Sequence, residues 1–248
     1  MIVMGREFED KSRGGVGEVV TLDAVLTAMG REYRADPDRA VRSQRFIKLL
    51  HRYIGTQLEQ RLTDEAKARG ICIRYEGTIM GSGKPKDVDI IVSDPDNGPL
   101  VLIGVRSQMS SIGKNVLTYW EGIKGEGASL QDRFPMSLHA YLYLHPLQSI
   151  KATREKESID HRRYARMYAH ITGRSGQQWY HIRNRFDEFA YMIVDYNASP
   201  PILRDDIVEE AVSKEEADLS VTTFVDRIVQ KYNKREIFWN VFGAGGDH

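Results

Sequence analysis

Three observations along the chain predict an α/β fold in which a mixed β-sheet is flanked by helices. The stretch from Ile71 to Ile103 divides into short apolar runs: Ile71-Cys-Ile-Arg-Tyr75, Asp89-Ile-Ile-Val92 and Leu100-Val-Leu-Ile103. Gly, Ser, Pro, Asn and Asp part these runs, the residues that turn a chain between strands. Helical periodicity stands on both sides, with Val41, Ile47, Leu50, Ile54, Leu58 and Leu62 before and Val116, Trp120, Ile123 and Leu130 after; spacings of three and four put each set on one buried face. A further apolar run, His139-Ala-Tyr-Leu-Tyr-Leu144, follows the second helix. The order helix, three strands, helix, strand reads as a mixed sheet with helical cover.

Each element has its own local signal. Residues up to Gly17 are polar and carry a Gly14-Gly15 pair, so they read as loose chain, and Leu22–Glu32 reads as a short helix. Asp36-Pro37 supplies a cap and a first-turn proline for a long helix closed by Gly70. The next helix is expected over Asn115–Leu130, and the strand after it ends at Pro146. Lys151–Glu188 reads as helical, interrupted at Arg174-Ser-Gly176. Phe189-Ala-Tyr-Met-Ile-Val194 is a further strand, Asp205–Ala217 an acidic helix, Val221–Tyr232 a last helix, and Gly243–Gly246 a frayed end. No repeat or low-complexity linker divides the chain. We expect one domain over residues 1–248, with a core over about 36–150 and an elaboration over about 151–248.

The 248 residues suffice for a sizeable core, and 41% hydrophobic with 28% charged residues is ordinary for a globular protein. No apolar run reaches the ~20 residues of a membrane span. The first ten residues lack a basic flank, an apolar stretch and a cleavage site. These points lead to an expected cytoplasmic location with no membrane partner. One cysteine, Cys72, excludes an intrachain disulfide, and its apolar neighbours suggest a buried thiol.

Thirty-five basic residues balance thirty-five acidic ones, which excludes a binder working by bulk charge. The charges are nevertheless segregated. Lys151, Arg154, Lys156, Arg162, Arg163, Arg166, Arg174, Arg183 and Arg185 form a basic stretch interleaved with Tyr164, Tyr168, Trp179, Tyr180 and His181, a composition suited to phosphate contacts and base stacking. A solvated amphipathic helix explains the same stretch equally well. Asp205, Asp206, Glu209, Glu210, Glu215, Glu216 and Asp218 follow, placed to meet a basic surface of a second copy or to screen a groove.

The chemistry-bearing residues lie between Lys84 and Pro135. Asp87 and Asp89 head a strand and share one pleat face, so either can offer hard oxygen ligands to a cation such as Mg²⁺. The neighbouring strand ends in Gly104-Val-Arg106-Ser-Gln108. Paired strands can hold a carboxylate from one beside a cation from the other, where a phosphodiester would sit. A turn-closing role explains Asp87 and Asp89 as readily as metal binding does. The histidines at 139, 145, 161, 170 and 181 show no zinc spacing, and Gly81-Ser-Gly83 is too short for a phosphate loop.

The run Val105-Arg-Ser-Gln-Met-Ser-Ser-Ile-Gly-Lys-Asn115, with its following helix and Arg133-Phe-Pro135, resembles restriction endonucleases of the PD-(D/E)xK nuclease superfamily. The likeness covers roughly Ile71 to Leu144. It implies a restriction-endonuclease-like core and Mg²⁺-dependent hydrolysis of phosphodiester bonds in double-stranded DNA, with a homodimer to cut both strands. Residue by residue, Asp89 matches the first metal-binding aspartate, with Asp87 the alternative register. Arg106 stands where the lysine is expected and Gly104 where the second acid is expected. Some relatives resupply that acid from the following helix, which here carries Glu121 and Glu126; Glu121 is favoured because it lies nearer the helix start. Glu76 from the preceding strand is a further candidate, and Lys114 can take a cationic role. Gly104 and Arg106 also suit an alternative, a catalytically inactive DNA-binding module on the same fold.

Overall fold

A computed structural model describes residues 21–35, 45–150, 156–235 and 240–243. Helix α1 covers Leu22–Ala35 and α2 Arg45–Arg61. Three strands follow: β1 Cys72–Met80, β2 Pro85–Asp94 and β3 Gly98–Ser107. The turn between β2 and β3 is built by Asp94, whose Oδ1 accepts the N–H groups of Asp96 (2.8 Å) and Asn97 (3.2 Å). Gly98 closes it at φ +81°, a conformation that carries no steric cost without a Cβ. Helix α4 (Ile112–Arg133) then crosses to β4 (Leu138–Pro146), and a shorter α3 (Asp64–Ala68) precedes β1.

The main sheet has six strands in the order β1-β2-β3-β4-β7-β8, with β7 at Glu188–Asp195 and β8 at Ile202–Leu203. β1, β2 and β3 are antiparallel neighbours, β3, β4 and β7 run parallel, and β8 returns antiparallel. A separate pair joins β5 (Ser149–Ile150) to β6 (Lys156–Glu157). The expected order helix, three strands, helix, strand is present, and the sheet is mixed.

Every residue of β4 is buried, because helices cover both faces of the sheet. Alternate side chains feed different layers. Ala140, Leu142 and Leu144 join the core under α1, α2 and α8 (Phe224–Arg235), while Tyr141 and Tyr143 face α4 and α5 (His161–Ala169). On the second face Tyr168 stacks against Phe189 at 4.9 Å and Tyr143 at 5.4 Å between ring centroids. Residues from α1 and from Phe242 share the first core, so both ends of the described chain close on one apolar layer.

Several local expectations are corrected. The long helix stops at Arg61, and Thr63 caps α3 by accepting the Ala66 N–H at 3.1 Å; its expected start, Asp36-Pro37 and Val41, lies outside the described residues. So do the loose residues up to Gly17 and the tail beyond Gly243. Lys151–Glu188 is helical only in α5 and a single 3₁₀ turn, Trp179–His181, apart from 151–155, which are not described. Tertiary packing overrides propensity here: Arg174 is fully buried on Asp187, which ties the loop to the sheet (Nε to Oδ1, 2.9 Å). The acidic helix divides into α6 (Asp205–Ala211) and α7 (Lys214–Ala217), where Ser213 caps α7. Cys72 is exposed on edge strand β1 rather than buried.

The segregated charges meet within one chain. Helix α6 lies beside α5, and Glu210 pairs with Arg162. Within the basic stretch Tyr164 and Tyr168 are core residues and Trp179 packs against Arg174 and Arg235, while His181 is exposed and Tyr180 half-buried.

Candidate functional site

The site lies where β2 and β3 stop pairing. Their ladder ends at Ile90 opposite Ile103. One residue earlier on β2, the Asp89 carboxylate takes over: its Oδ2 accepts the Val105 N–H at 2.6 Å. A side chain thus replaces a backbone acceptor where the ladder stops, and the other carboxylate oxygen lies toward His51. A cleft of about 640 Å³ opens there, between α2, β2, β3, β4 and α4.

Helix α2 presents His51 to this cleft from its buried face, beside Ile47 and Ile54. His51 is only 3% exposed. Its Nδ1 lies 2.6 Å from Glu76 Oε1, and its Nε2 lies 3.9 Å from Asp89 Oδ1. One ligand atom from each of His51, Glu76 and Asp89 falls within 4.8 Å of the others. Lys48 Nζ stands 3.7 Å from the second Glu76 oxygen.

Glu76 reaches the cluster through an unusual backbone. It lies at φ +53°, the left-handed region that a non-glycine residue enters at a cost of about 1–2 kcal/mol. The register of β1 with β2 steps from Tyr75–Ile90 to Gly77–Val88, leaving Glu76 unpaired across from Asp89. Strain of this kind collects at functional positions.

The electrostatics follow from these contacts. Burial lifts the Asp89 carboxyl above its ordinary pKa, outweighing the pull of His51 and the Val105 N–H. Glu76 is held below the usual carboxylate range, chiefly by its hydrogen bond with His51. Arg106 keeps its charge: burial opposes it, but Tyr141, Glu126 and Tyr143 outweigh the penalty. Its guanidinium lies 3.8 Å from Glu126 Oε1 and 5.3 Å from the centre of the Tyr119 ring.

Of the residues singled out from the sequence, Asp89, Asp87, Arg106 and Glu126 line the cleft. Asp87 is exposed and accepts the Thr78 hydroxyl at 2.6 Å. Glu121, the glutamate favoured from the sequence, and Lys114 are exposed on α4 and do not line the cleft, whereas Glu126 does. The reason is the helix turn: Glu126 precedes the buried Gly127, whereas Glu121 projects from the outer face. The acid position is not merely vacant at Gly104. A Cβ there would lie 2.5 Å from the ring of Tyr141, its register partner on β4. Tyr141 fills the space a second acid would use.

Two residues escaped the sequence reading. His51 was legible as a histidine four residues after Ile47 and three before Ile54, on an otherwise apolar face. Tyr141 had no signal, because its role depends on strand register across a crossover.

The donors present fit a divalent cation. With Nδ1–H donating to Glu76, Nε2 is the ring atom left for a ligand, and it is buried with no hydrogen-bond partner among the described residues. It faces another acceptor, Asp89 Oδ1, so a positive charge between them would satisfy both. No protein-family model matches the chain, and comparison with curated proteins and with solved structures gives no significant match. No described helix is long and apolar enough to cross a membrane.

Proposed function

We propose that the protein is a divalent-metal-dependent endonuclease hydrolysing phosphodiester bonds of double-stranded DNA, in the manner of a type II restriction enzyme. The observation that carries this reading is the buried His51 with Glu76 of β1 and Asp89 of β2, where β2 and β3 stop pairing, beside a cleft that also holds Arg106. His51 and Asp89 would hold the cation, with Glu76 orienting the His51 ring; Mg²⁺ is the sequence-based expectation. When bound, it supplies Lewis-acid polarisation of the phosphate and a nucleophile at neutral pH.

The chain's own groups account for the rest. Arg106 offers a permanent positive charge to the pentavalent phosphate, and Glu126 with Tyr119 limits where its fork can point. Lys84 and Lys86 line the same cleft and suit flanking phosphates. The half-buried Asp89 is held in place by the Val105 N–H, so it costs little reorganisation during reaction. Each site cuts one strand, so a homodimer would deliver a double-strand break.

The filled acid position favours a second reading, a DNA-binding module without chemistry. One assay separates the two. Duplex DNA of phage length is incubated with Mg²⁺, Mn²⁺ or EDTA, using wild type, Asp89→Ala and Arg106→Ala. The nuclease reading expects discrete fragments in metal and none in EDTA, with activity down at least 100-fold in Asp89→Ala. DNA retarded on a gel but intact in every metal would leave the binding module.

A further inference from the structure

The cleft is a mixed nitrogen–oxygen site, and we infer that it selects a first-row transition ion such as Mn²⁺ over Mg²⁺ or Ca²⁺, with His51 Nε2 and Asp89 as direct ligands and Glu76 as the group that orients the imidazole. The inference rests on the reading of this cleft as a metal site and specifies its cation.

Three features of the site lead there. Mg²⁺ and Ca²⁺ take oxygen ligands and keep water in preference to imidazole, whereas transition ions accept a neutral ring nitrogen readily. With Nδ1–H donating to Glu76 Oε1 at 2.6 Å, the ring takes the tautomer whose Nε2 can ligate. Nε2 is buried, has no hydrogen-bond partner among the described residues, and lies 3.9 Å from Asp89 Oδ1. A carboxylate behind a histidine is how metal-binding imidazoles are held in orientation. Here Lys48 stands on the far oxygen of that carboxylate, extending the chain of orienting contacts away from the cleft. The left-handed backbone at Glu76 completes the case, since it brings a carboxylate to the back of the ring at a conformational cost.

Calorimetric titration of the full-length protein with Mn²⁺ and with Mg²⁺ tests this directly. Wild type is expected to bind Mn²⁺ at least tenfold more tightly, and pulsed electron paramagnetic resonance of the Mn²⁺ form should show nitrogen hyperfine coupling. His51→Gln should lose that coupling and bring the two affinities together, while Glu76→Gln should keep the coupling and weaken Mn²⁺ roughly 10–100-fold. Equal affinities in wild type, or coupling that survives in His51→Gln, overturns the assignment. Should His51→Gln fail to fold by circular dichroism, the wild-type spectrum decides alone, and absence of nitrogen coupling overturns it. Failure of the nuclease reading looks different: Mn²⁺ bound through nitrogen without DNA cleavage retires the activity and keeps the site. Cleavage in Mg²⁺ with no nitrogen coupling does the reverse.

Discussion

Gly104 and Glu76 show how single residues shape this site. Gly104 has space only for hydrogen, because the Tyr141 ring occupies the position of its missing Cβ. Gly104→Asp would therefore not restore a second acid. We expect it to lower stability by about 1–3 kcal/mol through overpacking, read from urea midpoints, and to gain no metal affinity. A Gly104→Asp protein as stable as wild type would show that Tyr141 moves aside freely. Glu76 invites the opposite experiment. Glu76→Gly removes the backbone penalty at φ +53° and should stay within about 1 kcal/mol of wild-type stability, while Mn²⁺ binding weakens. A loss of several kcal/mol would mark Glu76 as a structural residue.

Among the elements, the junction of β7, α8 and the loop after α5 carries the largest electrostatic stake. Asp187 at the head of β7 is fully buried and accepts from Arg174 at 2.9 Å, with Arg235 of α8 on the same oxygen. Burial alone would raise its pKa, yet the two guanidinium groups hold the carboxyl below its ordinary range. Asp187→Ala leaves two buried arginines without their counter-charge, and a loss of about 3–5 kcal/mol in urea unfolding is expected. Arg162 and Glu210, which join α5 to α6, are 61% and 58% exposed at their side chains. Arg162→Ala should cost no more than about 1 kcal/mol, because water screens the pair. Similar losses for both variants would contradict this ranking.

For the whole molecule, three buried histidines set the acid limit. Burial holds His145 well below the ordinary histidine pKa, lowers His161, and takes His139 down to about 4. Each is more easily protonated in the unfolded chain, so acid favours unfolding. Their stabilisation is complete above the unfolded value near 6.5 and declines as pH falls toward each folded value. His139 alone accounts for a loss of about 2 kcal/mol at pH 5, and Asp187 and Glu76 add to it only below the carboxylate range near 4. Urea midpoints at pH 7.5, 6 and 5 should therefore fall progressively. A flat profile over that range would show that these rings are protonated in the fold.

The apolar runs at 71–75, 89–92, 100–103 and 139–144 and the flanking helical periodicities were enough to determine an α/β fold with a mixed sheet, because strand and helix periods are local properties. Asp89 and Arg106 were legible for the same reason, each flanking an apolar run, although Asp89 proves to lie in the middle of β2 because the strand begins at Pro85. The division of 151–188 and the burial of Tyr164, Tyr168 and Arg174 were not legible, because that burial depends on partners far along the chain. Only the tertiary structure brought His51 from α2 to Asp89, turned Glu76 inward, chose Glu126 over Glu121 and set Tyr141 against Gly104. Those juxtapositions join residues 13 to 38 positions apart through sheet register and helix crossing, quantities that no local run of sequence encodes.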